Sequence, residues 1–232
     1  VIVLQEQSQI PTIDQWRYND MYPGALRLRD SIRLYNPCAT ILTYMTWGRR
    51  YGGQQCLSNY CSPVFTDFNH MQDSLRSAYE EVSDLIGAKV APVGMAWKKV
   101  MDSIPSIWLY MTDSSHPVVP GSYLEASVMY GSIFHKKTLG CTYTDGLSAT
   151  VAGTLQQVAD RVVFDSLSQW QQHGHYPYAG FSFAAAGTTV TFTGHSTTPA
   201  GSYWTFGDGG TDTASNPVHH YVSNGTYVVS HT

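Results

Sequence analysis

Charge is scarce in this chain. Lys, Arg, Asp and Glu make up 13% of its 232 residues, 13 cations against 17 anions, for a formal net charge of −4. A mildly acidic surface of this kind is not built to neutralise phosphates, so nucleic acid is not an expected partner. No apolar run approaches the roughly 20 residues that cross a bilayer, so no membrane span is expected. Val1–Leu4 has neither the basic flank nor the length of a signal peptide. Neither a G-x-G-x-x-G sequence nor a P-loop follows any strand-like segment, which argues against a nucleotide site. Cysteine is sparse: Cys38, Cys56, Cys61 and Cys141 permit two disulfides or a metal site. Cys56 and Cys61 lie in one Gly/Gln/Asn-rich loop and read as a small staple. Cys38 and Cys141 are far from that pair and the histidines are scattered, so neither metal nor cofactor is expected. Disulfides fit an extracytoplasmic compartment. What the chain has in quantity is aromatic surface, with 16 Tyr and 6 Trp.

Two regions of different character follow one another. In residues 1–176, strand-like and helical patterns alternate. Val1-Ile2-Val3-Leu4 reads as a buried strand entered at its first residue, which places the true N-terminus upstream. A helix over about Met21–Tyr35 turns Leu28, Ile32 and Tyr35 to one side and ends before Pro37. Ala39–Thr46 is β-rich, and Trp47–Pro63 reads as a long loop pinned by a cross-link. Leu75, Tyr79, Val82 and Ile86 recur at helical spacing after Asp67, and Gly87 ends that helix. Lys89–Val93 predicts a strand, Met95–Met101 a short helix and Ile107–Tyr110 an extended segment. A helix to about Phe134 is expected to be capped by Ser122 with Glu125, and a last one covers Ala149–Gln172. This order predicts an α/β domain with a parallel sheet, whose ligands bind beyond the carboxyl ends of the strands. In residues 177–232 the helical period disappears. Thr188–Thr193 alternates, Tyr203–Phe206 is strand-like, Gly207-Asp208-Gly209-Gly210 is a turn, and Tyr221-Val222 and Thr226–Val229 flank the turn Ser223-Asn224-Gly225. This is an all-β module of sandwich type, short of closing strands at its C-terminal end.

The stretch with the most chemistry is Asp113-Ser114-Ser115-His116-Pro117, followed by Gly121-Ser122-Tyr123-Leu124. An aspartate three residues before a histidine, in a turn that opens a helix, supplies two thirds of a serine-hydrolase triad. The imidazole takes the nucleophile's proton, and the carboxylate fixes its tautomer. The plain alternative is a polar turn whose Asp or Ser caps the next helix.

Tyr203-Trp204-Thr205-Phe206-Gly207-Asp208-Gly209, Asn216-Pro217-Val218-His219-His220-Tyr221 and Gly225-Thr226-Tyr227-Val228-Val229 closely resemble the PKD domain. The resemblance implies an immunoglobulin-like sandwich used as a spacer or adhesion module in secreted, often bacterial, multidomain proteins. A cell-surface glycan or protein is its implied partner. Calcium at Asp208 and Asp212 is the weaker reading of two turn-forming acids.

The first region is similar to the later part of an SGNH/GDSL-type hydrolase, a three-layer α/β fold that would here be incomplete at its N-terminus. The carriers are Val3–Ser8, Tyr44–Arg49, Val90–Gly94 and the Asp113–Leu124 block. By this resemblance Asp113 and His116 inherit the orienting and general-base roles. Gln7 stands where the family's oxyanion-hole Asn does. Trp47 and Arg49 lie beyond a strand end, where they would meet a sugar ring or a carboxylate. The block carrying the nucleophilic Ser and the one carrying the oxyanion-hole Gly have no match. Ser8, Ser114 and Ser115 are not in the strand-to-helix context to replace that serine. The implied activity is hydrolysis of acylated glycans or small esters by a longer secreted enzyme. The alternative is a non-catalytic adhesin or surface-assembly protein on a hydrolase-like scaffold.

Overall fold

A computed structural model describes residues 1–7, 9–171, 179–196 and 201–231. The chain divides into two compact units, Val1–His173 and Gly174–Thr232. Ser8 and the sequence around Gly174–Tyr178 lie outside the described residues.

The first unit is built on a parallel sheet in the order β1-β2-β5, with β1 at Ile2–Leu4, β2 at Ile41–Tyr44 and β5 at Lys89–Ala91. Parallel neighbours need a long crossover, and helices supply each one. After β1 come a 3-10 turn (Ile10–Thr12), α1 (Asp14–Trp16) and a π-helical turn (Arg17–Met21) that runs into α2 (Tyr22–Tyr35). Between β2 and β5 lie a hairpin, β3 (Gly53–Leu57) with β4 (Tyr60–Phe65), and the long α3 (Phe68–Ile86). The chain then adds α4 (Val93–Ser103), α5 (Val119–Phe134) and α6 (Ala149–Phe164).

Alternation along β2 separates the two faces of the sheet. Ile41 joins Ile86 in one apolar cluster, and Met45 joins Leu75, Tyr79 and Val82 of α3 in another. Thr43 on the same face shares a 2.6 Å hydrogen bond with Ser83 of α3. Tyr44 points the other way, into a core with Val93, Trp97, Leu124, Val128 and Leu155 from α4, α5 and α6. Helices therefore cover both faces of β2, as a parallel sheet requires.

Helix α3 follows its sequence pattern closely. The Asp67 carboxylate accepts from the His70 amide at 2.9 Å, and Leu75, Tyr79, Val82 and Ile86 are all buried. Gly87 ends the helix at φ +63°, a left-handed conformation that glycine adopts without a Cβ clash. Gly121, on the first turn of α5, is required for a different reason. A Cβ there would stand 2.6 Å from both the Leu109 carbonyl oxygen and Trp97 Cη2, so only glycine lets this helix settle on α4.

Several expectations from sequence need correction. Trp47–Pro63 is not all loop. Residues 53–57 and 60–65 pair as a hairpin in which Cys56 faces Cys61, and a disulfide joins them with Cα atoms 4.1 Å apart. Short strands of Gln, Cys and Ser gave no apolar alternation to betray them. Cys38 and Cys141 are free thiols. Ser122 does not cap α5. The helix begins at Val119 with Val118 at its cap, because Pro120 fits the first turn and Ser122 is already helical. The last helix stops at Phe164 rather than continuing to Gln172. On α2, Leu28 and Tyr35 are exposed, Tyr35 at 85%, since nothing among the described residues covers that side; Ile32 alone of the three packs toward the Ile41–Ile86 cluster.

The second unit holds two antiparallel sheets. One has the order β10-β7-β6, with β6 at Ala179–Ala186, β7 at Thr189–Ser196 and β10 at Val218–His220. The other has the order β11-β8-β9, with β8 at Trp204–Thr205, β9 at Thr211–Asp212 and β11 at Ser230–His231. Phe192 of one sheet and Trp204 of the other meet in a single core with Phe206 and Tyr221. The strand expected at Thr226–Val229 is absent; Val228 is exposed and pairing resumes only at Ser230. Asp208 accepts from the Gly210 amide of its own turn at 2.9 Å and meets His219 Nε2 at 2.7 Å, and the Asp212 carboxylate accepts from the Thr213 and Ala214 amides.

Candidate functional site

The Asp113–His116 turn is closed by its own backbone. Tyr110 and Pro117 form an isolated antiparallel bridge, the Met111 amide donates to the His116 carbonyl at 2.8 Å, and the Ser114 amide donates to the Met111 carbonyl at 3.0 Å. Ser114 takes φ +60°, a left-handed conformation that non-glycine residues adopt only when their surroundings hold them there. What holds it is Asp113. One carboxylate oxygen accepts from the amides of Ser115 and His116, both at 2.9 Å, and the other meets His116 Nδ1 at 2.5 Å.

These contacts set the charge of Asp113 and the direction of its bond with His116. The hydrogen bond from the His116 ring, followed by those from the His116 and Ser115 amides, holds the Asp113 carboxyl well below the usual carboxylate range. An ionised carboxylate can only accept, so the bond between the two side chains is donated by Nδ1–H of His116, and Nε2 is the ring nitrogen that Asp113 does not engage. Nε2 has no partner among the described residues, and the ring is 73% exposed. The pair is thus an oriented imidazole with Nε2 turned outward. A histidine held in this way can take a proton from a group that reaches Nε2.

The loop leaving β2 docks onto this turn. Trp47 Nε1 donates to the Ser115 carbonyl at 2.9 Å, and its ring stacks on buried Trp97 with centroids 4.1 Å apart and planes 4° from parallel. The Arg50 amide donates to the Ser114 carbonyl at 3.0 Å. Buried Gln72 of α3 braces the loop from beneath, accepting from the Gly48 amide at 2.9 Å and donating to the Thr46 carbonyl at 3.3 Å. Gly94 must be glycine for this brace to exist, because a Cβ there would overlap both the Gln72 amide and the Thr46 carbonyl. Tyr110 adds a bond from its hydroxyl to the Gly48 carbonyl at 2.7 Å.

The structure therefore joins Asp113 directly to His116 and sets Trp47 against the same turn through the Ser115 carbonyl. Arg49 stands one residue from the contact, with its Nε donating to Gln55 Oε1 of the hairpin at 3.2 Å. Gln7 is not joined to the turn. Its own Oε1 accepts from the Gln9 amide at 2.9 Å, and its amide nitrogen faces Gln9 Oε1 at 3.4 Å. Gln9 is the residue that reaches across, donating to the same Gln55 oxygen as Arg49, at 3.3 Å. The sequence reading missed Gln9, Gln55, Gln72 and Arg50. Neutral amides carry no motif, and only the adjacency of Arg50 to Arg49 marked it.

The second unit has a clear relative. Residues 176–232 match the family model of the PKD domain. PKD domains are typical of extracellular multidomain proteins, and the two facing antiparallel sheets are compatible with one. For the first unit, the similarity lies in structure. A solved crystal structure of a DUF4886 family protein from Bacteroides uniformis ATCC 8492 superposes with a TM-score of 0.57 at 18% identity, over 71% of this chain and 62% of that one. The chain thus spans less than two thirds of that protein, and an identity this low shows a shared fold alone. No curated protein matches the chain. No helix among the described residues is long and apolar enough to cross a membrane, and no group of three or more His, Cys, Asp and Glu side chains among them could hold a metal ion.

Proposed function

We propose that this chain supplies the base, the orienting acid and part of the substrate rim of an extracellular SGNH-type serine esterase acting on acylated glycans or small esters, with the PKD domain as its spacer or adhesion module. The observation that carries the reading is the Asp113–His116 pair. The carboxylate is locked by three hydrogen bonds, and Nε2 faces outward without a partner. A polar turn that merely capped a helix would spend its carboxylate on the helix. Here α5 begins at Val119, and its cap residue Val118 offers no side chain.

The nucleophile in this reading is a serine on a strand that pairs beside β1. The residues of β1 form a continuous apolar run, the pattern of a strand buried on both faces, yet none of them is fully buried. A cleft of ≈ 110 Å³ includes Leu4 of this strand in its lining, with Met21, Ala25, Leu28 and Ile86 on its apolar part and Glu6, Asp20 and Thr43 on its polar part. A neighbouring strand would fill this edge and bring its C-terminal end to the rim that carries His116. There the serine attacks the acyl carbon as Nε2 takes its proton. The imidazolium, held by Asp113, then protonates the departing alcohol, and water repeats the sequence to release the acid.

Treating the full-length protein with a fluorophosphonate probe tests this. A single serine, outside this chain and modified only while His116 is present, is the expected product. An unlabelled protein, or labelling indifferent to His116→Ala, would favour the other reading, a surface-assembly protein that uses a hydrolase-like scaffold without turnover.

A further inference from the structure

Beside the Asp113–His116 turn stands Arg50, which, like most of the chain's cations and unlike Arg17, Arg29, Arg76 and Lys98, has no carboxylate within ion-pair distance among the described residues. Its guanidinium lies over the Trp108 ring, 3.7 Å from the centroid, with Tyr51 at 5.5 Å. Its Nε is buried and has no hydrogen-bond partner. Asp113, the acid of the adjoining turn, has both oxygens committed to that turn. Stacking, rather than hydrogen bonding, therefore fixes the orientation of this arginine. That leaves a preorganised planar fork, with its donors unspent, for an oxyanion.

The surroundings select what carries that carboxylate. Tyr51 is 69% and Trp108 48% exposed, offering flat apolar faces against which the C–H faces of a pyranose ring can be buried. The Arg50 amide is bonded to the Ser114 carbonyl, two residues from His116, which ties this arginine to the same turn. We infer that Arg50, seated on Trp108, binds the carboxylate of an acidic sugar, and that the glycan recognised beside His116 is a polyuronate rather than a neutral polysaccharide. This deepens the esterase reading and rests on it only for the word substrate; the binding site stands on its own geometry.

The test is calorimetric titration of the full-length protein with tetragalacturonate, maltotetraose and tetraglutamate, in the wild type and in Arg50→Gln. The expected result is preference for the uronate over both other probes, at least tenfold over maltotetraose, weakening as ionic strength rises. Arg50→Gln should lose about tenfold or more of the uronate affinity while its melting temperature and its weak maltotetraose binding hold. Equal affinity for the neutral and acidic sugars in the wild type would overturn the inference without any variant. So would tighter binding of tetraglutamate, or an Arg50→Gln protein that binds the uronate unchanged. Uronate binding that needs Arg50 in a protein whose ester hydrolysis ignores His116 would uphold the anion site and remove the esterase reading.

Discussion

Replacing Gln72 with leucine would test how the β2-exit loop is held against the Asp113–His116 turn. Leucine keeps nearly the same length and is well suited to a helix, so α3 itself should tolerate it. What it removes is the acceptor for the Gly48 amide at 2.9 Å and the donor to the Thr46 carbonyl at 3.3 Å. Gln72 is fully buried, so water cannot take its place without entry into the core. A buried polar group left unsatisfied costs about 1–3 kcal/mol, and the longer of the two bonds belongs at the low end. The expected loss is therefore about 2–4 kcal/mol in the first unit. For a unit of this size that is about 5–15 °C in melting temperature. Urea unfolding followed by tryptophan fluorescence reads the loss directly, because Trp47 and Trp97 stack just above the brace. The slope with denaturant should stay the same while the midpoint falls. A Gln72→Leu protein within about 0.5 kcal/mol of wild type would show that the brace does not hold the loop, and the argument that Trp47 and Arg50 are preorganised would fail with it.

Two further outcomes follow from the cross-links and charges. Converting Cys56 and Cys61 together to serine opens a loop with a sequence separation of 5, which on the chain-entropy argument costs about 2 kcal/mol; a urea midpoint unchanged from wild type would show the hairpin to be held by its strand pairing alone. In the PKD unit, the hydrogen bond from His219, and then that from the Gly210 amide, lower the Asp208 carboxyl from its ordinary value. A carboxyl depressed in the folded state contributes stability above its unfolded value near 4, and that contribution is lost as pH falls through the folded value. Melting of this unit should therefore drop on acidification below about pH 4, and Asp208→Asn should flatten that dependence; an equally steep drop in the variant would place its origin elsewhere.

The helices and the turn were the most legible parts of the sequence, each for a local reason. Helix α3 carries its own cap, its own apolar stripe and its own glycine stop, so no distant residue was needed to read it. The Asp113–His116 turn was legible because its hydrogen bonds run between residues at most three apart. The hairpin was not, since Gly-Gln-Gln-Cys-Leu and Tyr-Cys-Ser-Pro-Val-Phe show no apolar alternation, and they are held by a disulfide and by Gln55 bonding to Ser62. Helix α2 misled because its apolar positions predict burial, and the surface they call for is not among the described residues. At the site, Trp47 could be placed from its position after a strand. Gln9, Gln55 and Gln72 could not, because an amide that bridges loops 20 to 50 residues apart leaves no periodic trace. Gln7 was aligned by analogy with an asparagine, and the structure gives the reaching contact to its neighbour Gln9.

The central claim is that His116, oriented by Asp113, is a general base. It is tested most directly by kcat/KM for p-nitrophenyl acetate in the full-length protein and in His116→Ala. Loss of a triad member removes several orders of magnitude of rate, so the account predicts a fall of about a thousandfold or more with the fold intact. Equal rates in the two proteins would contradict it.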